Sequence, residues 1–194
     1  MAEAGTLHQV LVDELCDAYD AEGQLTKALS ELSRAASSPE LREAFQAHLE
    51  ETQGHADRLE LVFATLDEKV RARHCDGIAV VIEEGRSIME ANLDDITMDA
   101  CLIAAGQRAE HYEIAAYERL VAWALAMGYT DAASLLRQTL DEEKAAEQRL
   151  SSLAGAGLSQ RTANTAHADR DEAPVVTGAA THSYNPATLK LQRL

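Results

Sequence analysis

The sequence contains few aromatic residues and very little proline. Tryptophan, tyrosine and phenylalanine make up 4% of its 194 residues, and proline occurs three times. Because β-strands draw on aromatic and β-branched side chains, and because proline interrupts helices, this composition favours long helices over sheets. Hydrophobic residues still account for 46% of the chain, so we expect a core of leucine, alanine, valine and isoleucine.

Cysteine, long apolar runs and basic charge are also scarce. The three cysteines, Cys16, Cys75 and Cys101, form no Cys-x-x-Cys pair, so neither a disulfide framework nor a thiolate zinc site is predicted. No apolar run approaches the roughly 20 residues of a membrane span, and the first residues lack the pattern of a signal peptide. We therefore expect a cytoplasmic protein with no membrane partner.

The net charge of −16 disfavours nucleic acid as a partner and favours cations.

The sequence does contain four long stretches with the apolar spacing of amphipathic helices. They are residues 7–37, 40–66, 94–128 and 130–155. Short connections at Ser38 and at Gly128 join the first helix to the second and the third to the fourth, so each pair is predicted to form an antiparallel hairpin. Residues 67–93 are predicted to be a long connection that holds one short helix. The predicted fold class is all-α, a ferritin-like four-helix bundle with a long crossover.

The end of the chain differs from the rest in composition. Residues 1–155 are predicted to form the bundle, whereas residues 156–194 are rich in Ala, Thr, Ser and Gly and show no helical periodicity. We expect this second stretch to be a disordered, low-complexity tail. Its last eight residues, ATLKLQRL, could form a short docking element.

Each long helix carries a glutamate near its midpoint. In an antiparallel hairpin, residues equally far from the turn lie at the same height, at about 1.5 Å of rise per residue. Counted from Ser37 at the centre of the first turn, Glu22 lies about 15 residues before it and Glu51 about 14 after it. Glu113 and Glu143 each lie about 15 residues from the second turn. Ferritin-like di-metal proteins place one glutamate from each of four helices at the bundle centre, so this spacing predicts a metal centre.

Neighbouring side chains complete a candidate set of metal ligands. Glu110 precedes Glu113 by one turn, and His48 and His55 lie three residues before and four after Glu51. Burying several carboxylates together is very costly unless cations neutralise them, and an oxygen-rich site with one or two imidazoles suits iron or manganese. The predicted cofactor is therefore two Fe ions, or alternatively Mn. The predicted ligands are Glu22, His48, Glu51, His55, Glu110, Glu113 and Glu143.

The same glutamates could instead lie at the surface, since the chain holds 33 acidic residues. Glu142, for example, is assigned to solvent. Neither Glu51 nor Glu143 begins a Glu-x-x-His motif, because Gly54 and Ala146 stand three residues after them. The predicted site is therefore richer in oxygen than a typical ferroxidase centre, or it is a degraded one.

Four segments of the chain carry a family resemblance. They are DELCDAYDAEGQLTKAL, SSPELREAFQAHLEETQGHADRLELVF, AEHYEIAAYERL and LLRQTLDEEKAAEQRLSSLA. Together, over roughly residues 7–154, they resemble the YciE/YciF family of bacterial ferritin-like stress proteins. The resemblance implies a ferritin-like bundle, a role in stress, a homodimer and a di-metal centre. Carried over by position, that centre would use Glu22, His48, Glu51, Glu110, Glu113 and Glu143, with His55 standing where relatives often have glutamine.

Three functions stay open at this point. The first is a di-iron or di-manganese oxidoreductase of the peroxidase, catalase or ferroxidase type, which acts on peroxide or dioxygen as a small oxidant. In that case Tyr112 or Tyr117 could form a hydrogen bond to the centre or supply an electron. The second is iron binding and detoxification without turnover. The third is a metal-free helical scaffold or interaction protein, so whether the chain is an enzyme is left open.

Overall fold

The protein is all-helical in the computed structural model, which describes residues 5–158. Most of the predicted tail, residues 156–194, therefore lies outside the described residues. The helices are α1 (Leu7–Ala35), α2 (Pro39–Thr65), α3 (Asp76–Met89), α4 (Asp95–Ala126) and α5 (Thr130–Leu153), followed by a π-helical turn at Ala154–Leu158. The predicted all-α fold class is confirmed. None of the helices in the described range is long and apolar enough to span a membrane.

The turn between α1 and α2 is fixed from two sides. Ser38 caps the start of α2 by accepting a hydrogen bond from the backbone N–H of Leu41, and Pro39 occupies the first helical position. From α4, the buried carboxylate of Asp99 accepts hydrogen bonds from the backbone N–H groups of Ser37 (2.8 Å) and Ser38 (2.7 Å). Asp99 thus ties the first hairpin to the second.

The turn between α4 and α5 depends on Gly128. Its φ of +76° lies in the left-handed region, where glycine is strongly favoured. The backbone N–H of Tyr129 then donates to the carbonyl of Ala124 over 2.9 Å, which closes the last turn of α4. Because only three residues separate the two helices, α4 and α5 form an antiparallel hairpin, as predicted.

A long crossover that holds α3 joins the two hairpins. It runs from residue 66 to residue 94, and α3 packs across α1 and α4. Ile78 and Ile82 of α3 share an apolar cluster with Leu25 of α1 and Ala109 of α4. Because of this crossover, α1 lies beside α4 and α2 beside α5, which is the arrangement of a ferritin-like four-helix bundle.

Two apolar clusters fill the bundle on either side of its midpoint. The first includes Leu11, Leu15, Leu59, Phe63, Leu120 and Leu136. The second includes Leu29, Leu32, Leu41, Phe45, Leu102 and Leu150. Along every long helix, the polar residues that are buried at the midpoint lie between these clusters in sequence. A layer of buried polar side chains is therefore closed off from water by apolar side chains at both ends.

Candidate metal centre

Six of the seven predicted ligands lie in this buried polar layer. Each is at most 3% exposed: Glu22, His48, His55, Glu110, Glu113 and Glu143. Carboxylates are almost never buried this completely unless they are paired or bind a cation. The predicted height of the glutamates along the helices is therefore correct for α1, α4 and α5.

Helical spacing explains why these side chains point inward together. On α4, Glu110, Glu113 and Tyr117 follow one another at intervals of three and four residues, which places them on one face. On α2, His48 and His55 are seven residues apart and share the face that is buried. On both helices, the candidate ligands thus lie on the same face as the buried apolar residues.

The donor atoms form two groups that share one residue. His48, Glu110, Glu113 and Glu143 each offer an atom within 4.8 Å of the others. Glu22, His55 and Glu143 do the same. Glu143 belongs to both groups, so its carboxylate joins them into one continuous cluster of donor atoms.

Several donor atoms of the centre lie close to one another. Nδ1 of His55 lies 2.8 Å from Oε1 of Glu143 and 3.6 Å from Oε2 of Glu22, and Nε2 of His48 lies 3.1 Å from Oε1 of Glu110. Within the described part of the chain, six buried atoms have no hydrogen-bond partner. They are Glu22 Oε2, His55 Nδ1, Glu110 Oε2, Glu113 Oε2, Glu143 Oε1 and Glu143 Oε2. Unpaired oxygen and nitrogen atoms that converge in this way fit iron or manganese ions.

Both histidines turn their other ring nitrogen outward to a carboxylate. Nδ1 of His48 lies 3.2 Å from Oε2 of Glu51, and Nε2 of His55 lies 2.9 Å from Oε2 of Glu142. Histidines that bind metals usually donate their second N–H to a carboxylate or carbonyl, which fixes the tautomer and the ring orientation. The inward nitrogens, Nε2 of His48 and Nδ1 of His55, face the carboxylates of the centre, where a metal ion that displaced their protons could bind them.

The structure does not bring Glu51 into either group, in contrast to the prediction. Its side chain is 31% exposed and contacts Arg149 as well as His48. The hydrogen bond to His48 and the charge of Arg149 lower the pKa of the Glu51 carboxyl. The inward position belongs to Thr52, because one residue turns the helix by about 100°.

A signal for Thr52 was present in the sequence. The stripe of buried residues on α2 runs at helical intervals through Leu41, Phe45, His48, Thr52, His55, Leu59, Val62 and Phe63. Glu51 lies off this stripe. The apolar residues that flank the two histidines define this stripe in the sequence, and they predict that Glu51 lies beside the centre. From that position Glu51 can orient His48.

Glu142 was assigned to solvent, and this assignment is wrong. Its side chain is 38% exposed, yet it contacts His55 and accepts two hydrogen bonds from the guanidinium of Arg58, over 2.8 and 3.0 Å. No spacing rule within α5 separates Glu142 from other surface acids, because its partners come from α2. Sequence reasoning had no signal for this contact.

Burial raises the pKa values of the carboxyl groups at the centre. It is the largest cause for Glu22, Glu113 and Glu143, and the like charges of Glu143 and Glu22 raise the pKa of Glu113 further. Burial alone would lower the pKa of His55, but the nearby carboxylates of Glu143 and Glu22 outweigh it and raise that pKa to about 10. All of these shifts favour the protonated forms of the central groups.

Only one of the two candidate tyrosines reaches the centre. The hydroxyl of Tyr117, which is buried, donates a hydrogen bond to Oε1 of Glu22. The hydroxyl of Tyr112 instead lies 3.2 Å from the sulfur of Cys75, nearer the surface. Tyr117 is therefore placed to hold a proton next to a candidate ligand.

Comparison with known proteins identifies the family. Residues 6–163 match the family described as a domain of unknown function, DUF892. The chain belongs to this family. Over 162 residues it is 41% identical to the protein YciF of Escherichia coli, an alignment that covers 83% of this chain and 98% of YciF. The resemblance to the YciE/YciF family is thus confirmed.

Solved structures of relatives support the fold. The crystal structure of the E. coli stress protein YciF superposes with a TM-score of 0.78 at 41% identity, covering 81% of this chain and 99% of that one. YcfI from Rhodopseudomonas palustris superposes with a TM-score of 0.73 at 38% identity, covering 76% and 94%. A two-domain protein from Anabaena variabilis that contains a ferritin-like domain gives a TM-score of 0.50 at 23% identity, covering 93% and 42%. The last similarity concerns the fold alone.

Proposed function

We propose that this DUF892 protein binds two iron ions, or alternatively two manganese ions, at the bundle centre and handles peroxide or dioxygen under stress. The observation that carries the proposal is the convergence of buried carboxylate and imidazole donor atoms from all four long helices in two groups that share Glu143. A structural role alone gives no reason to bury several carboxylates together, since each buried polar atom that lacks a partner destabilises the fold.

Charge balance supports a pair of divalent ions. The four central carboxylates, Glu22, Glu110, Glu113 and Glu143, carry four negative charges when ionised, and two divalent ions carry four positive charges. With both imidazoles neutral, the centre would then be uncharged overall, which suits side chains as deeply buried as these. His48, Glu110 and Glu113 would hold one ion and Glu22 and His55 the other. Glu143 would contact both.

The chain's own residues would orient the ligands and manage protons. Iron or manganese bound here would supply the electrons that reduce peroxide or dioxygen. Glu51 and Glu142 hold the imidazoles in position from outside. The hydroxyl of Tyr117 donates to Glu22, so it would hold a proton close to where a reduced oxidant needs one.

The stress role rests on the relatives. YciF of E. coli is described as a stress protein, and it shares the full length of the bundle with this chain. A small oxidant is the target that a centre of this chemistry would have under stress. The homodimer and the cytoplasmic location stay predictions. Whether the centre turns over an oxidant or only detoxifies iron stays open.

One observation favours the metal-free scaffold as a second candidate. In the structure the central histidines lie close to the carboxylates, and Tyr117 donates to Glu22, so protons alone could hold the layer together. The raised pKa values of Glu22 and His55 agree with this state. Both candidates predict the same fold but different metal contents.

Metal analysis tests the proposal. Purified protein is loaded anaerobically with Fe(II), desalted and assayed for iron, and then mixed with hydrogen peroxide while absorbance is recorded. We expect about two irons per chain, and a loss of iron binding in Glu143→Gln. The matched control is Glu147→Gln on the same helix, since Glu147 bonds Gln107 and Ser151 instead of the centre. Less than a tenth of an iron per chain in the wild type would favour the scaffold, and oxidation without repeated turnover would favour detoxification.

A further inference from the structure

A pocket opens in the seam between α1 and α4 and reaches the candidate metal centre. Its volume is about 340 Å³. Glu113 and Tyr117 form part of its lining, together with Tyr112 and Cys75. Since Glu113 belongs to one ligand group and Tyr117 bonds Glu22 of the other, the pocket leads to both.

The pocket exists because α3 covers only part of this seam. Ile78 and Ile82 of α3 fill the seam around Leu25 and Ala109, and α3 begins just after Cys75. Beyond that point the seam is lined by small residues on both helices. These are Ala18 and Ala21 on α1 and Ala115 and Ala116 on α4. Alanine side chains are too short to close the gap, so the helices leave room for a small molecule.

The inner end of the pocket carries an unsatisfied acceptor. Glu113 is only 3% exposed, and its Oε2 has no hydrogen-bond partner among residues 5–158. A buried carboxylate oxygen without a partner, which lines an open pocket, points to something that binds there.

Ion pairs neutralise the acids at the mouth of the pocket. Glu14 pairs with Arg119, and Asp17 pairs with Arg73. Apart from Glu113 and Tyr117 at the inner end, the other polar groups in the wall are the hydroxyl of Tyr112 and the thiol of Cys75, which are uncharged and lie 3.2 Å apart. A mouth without excess charge suits a small uncharged molecule better than an anion, which the net charge of −16 would repel.

We propose that the pocket between α1, α4 and the start of α3 admits a small uncharged oxidant of the peroxide class to the Glu113 side of the centre. This inference rests on the proposed function, since it assigns the route to that same centre. Ala116 lines the pocket on α4, so a larger side chain at that position should narrow it.

The first arm of the test uses the metal-free protein and does not depend on the proposed function. Methyl methanethiosulfonate, a small uncharged thiol reagent, is added, and modification of the Cys75 peptide is followed by mass spectrometry. We expect Ala116→Leu to slow modification of Cys75 at least tenfold. Ala104→Leu is the matched control, since Ala104 is also a half-buried alanine of α4 but lies outside the pocket lining. Cys16, which does not line the pocket, should react at the same rate in all variants.

The second arm uses protein loaded with Fe(II). We expect Ala116→Leu to bind as much iron as Ala104→Leu but to be oxidised by hydrogen peroxide at least tenfold more slowly. If Ala116→Leu does not fold, Ala115→Leu replaces it, because Ala115 lines the pocket from the exposed side of α4.

Each outcome has a separate meaning. Equal rates of Cys75 modification in the two leucine variants would overturn the inference, because the pocket would not be the path that small molecules take. Slower thiol modification with an unchanged rate of iron oxidation would also overturn it, because the oxidant would reach the iron another way. Absence of iron from every variant would overturn the proposed function and the route with it, while the thiol rates would still report whether the pocket is open.

Discussion

Nε2 of His55 lies 2.9 Å from Oε2 of Glu142, whose carboxylate is in turn held by the guanidinium of Arg58. The same relation recurs at His48, where Glu51 is held by Arg149. In both cases a carboxylate outside the centre fixes the imidazole and leaves the other ring nitrogen facing inward. If the centre binds metal as proposed, this repeated arrangement would give the partly exposed outer carboxylates a role in metal affinity.

Replacing the outer carboxylate at His55 should weaken metal binding without removing a ligand. In Glu142→Gln we expect the affinity for Fe(II) or Mn(II) at neutral pH to fall by about tenfold or more, because outer partners of this kind typically contribute 10–100-fold. Competitive titration against a chelator measures the change. Asp141→Asn, an exposed acid next to it on α5, is the control. An affinity within twofold of the wild type would rule out this role for Glu142.

Removing a buried carboxylate should stabilise the metal-free protein. Burial and the like charges of Glu143 and Glu22 raise the pKa of Glu113 in the folded chain, so ionising it costs more there than in the unfolded chain, which destabilises folding at pH 7.5. Glu113→Gln removes this penalty, so we expect at least about 1 kcal/mol of added stability, or a thermal midpoint raised by roughly 2–4 °C.

The same variant should lose metal. Glu113→Gln should bind fewer ions than the wild type, so its gain in stability should vanish when both proteins are loaded. Glu118→Gln, an exposed residue of α4 that pairs with Lys144, should change neither property. A lower thermal midpoint for metal-free Glu113→Gln would contradict the proposed cost of burying this carboxyl group.

The metal-free protein should lose stability as the pH rises from 6.5 to 9. The pKa of His55 is raised from its ordinary 6.5 to about 10, so its contribution is fully present below pH 6.5 and is lost as the pH approaches 10. The raised pKa values of Glu22, Glu113 and Glu143 act in the same direction, because the folded chain holds these protons more tightly than the unfolded chain.

Thermal melts followed by circular dichroism across this pH range measure the effect. In His55→Gln the slope should become shallower. Loading with metal should also reduce it, since metal ions displace the protons from the centre. A midpoint of the metal-free wild type that rises by several degrees from pH 6.5 to pH 9 would show that the central groups are not protonated as the structure indicates.

Asp99 should be important for stability and unimportant for metal binding. In Asp99→Ala the backbone N–H groups of Ser37 and Ser38 lose their charged acceptor, which should destabilise the fold by about 2–3 kcal/mol. Urea denaturation measures the loss, with Asp95→Ala at the exposed start of α4 as the control. We expect the metal content of Asp99→Ala to match that of the wild type, and a selective loss of metal would contradict the separation of the two roles.

The helices and the height of the centre could be predicted because both follow from local rules. Apolar spacing and the signals at Ser38 and Gly128 locate the hairpins, and the rise per residue then fixes which glutamates lie level with one another. These rules do not depend on the details of packing, so they can be applied to a single sequence without an alignment.

The rotation of each helix and the contacts between helices were harder to predict. Counting from a turn gives the height of Glu51 but not its face, and a shift of one residue moves the inward position to Thr52. Glu142 and Asp99 depend on partners from other helices, which a pattern within one helix does not contain. The pocket depends on how much of the seam between α1 and α4 is covered by α3. This too is set by tertiary packing.

Anomalous X-ray scattering from crystals of the Fe(II)-loaded protein tests the central claim most directly, because it locates each ion. Data collected above and below the iron absorption edge should give two peaks in the bundle, one among His48, Glu110 and Glu113 and one between Glu22 and His55, with Glu143 next to both. The same maps from Glu143→Gln should lose these peaks. Iron found only among exposed acids of the loaded wild type, with no peak inside the bundle, would contradict a di-metal centre.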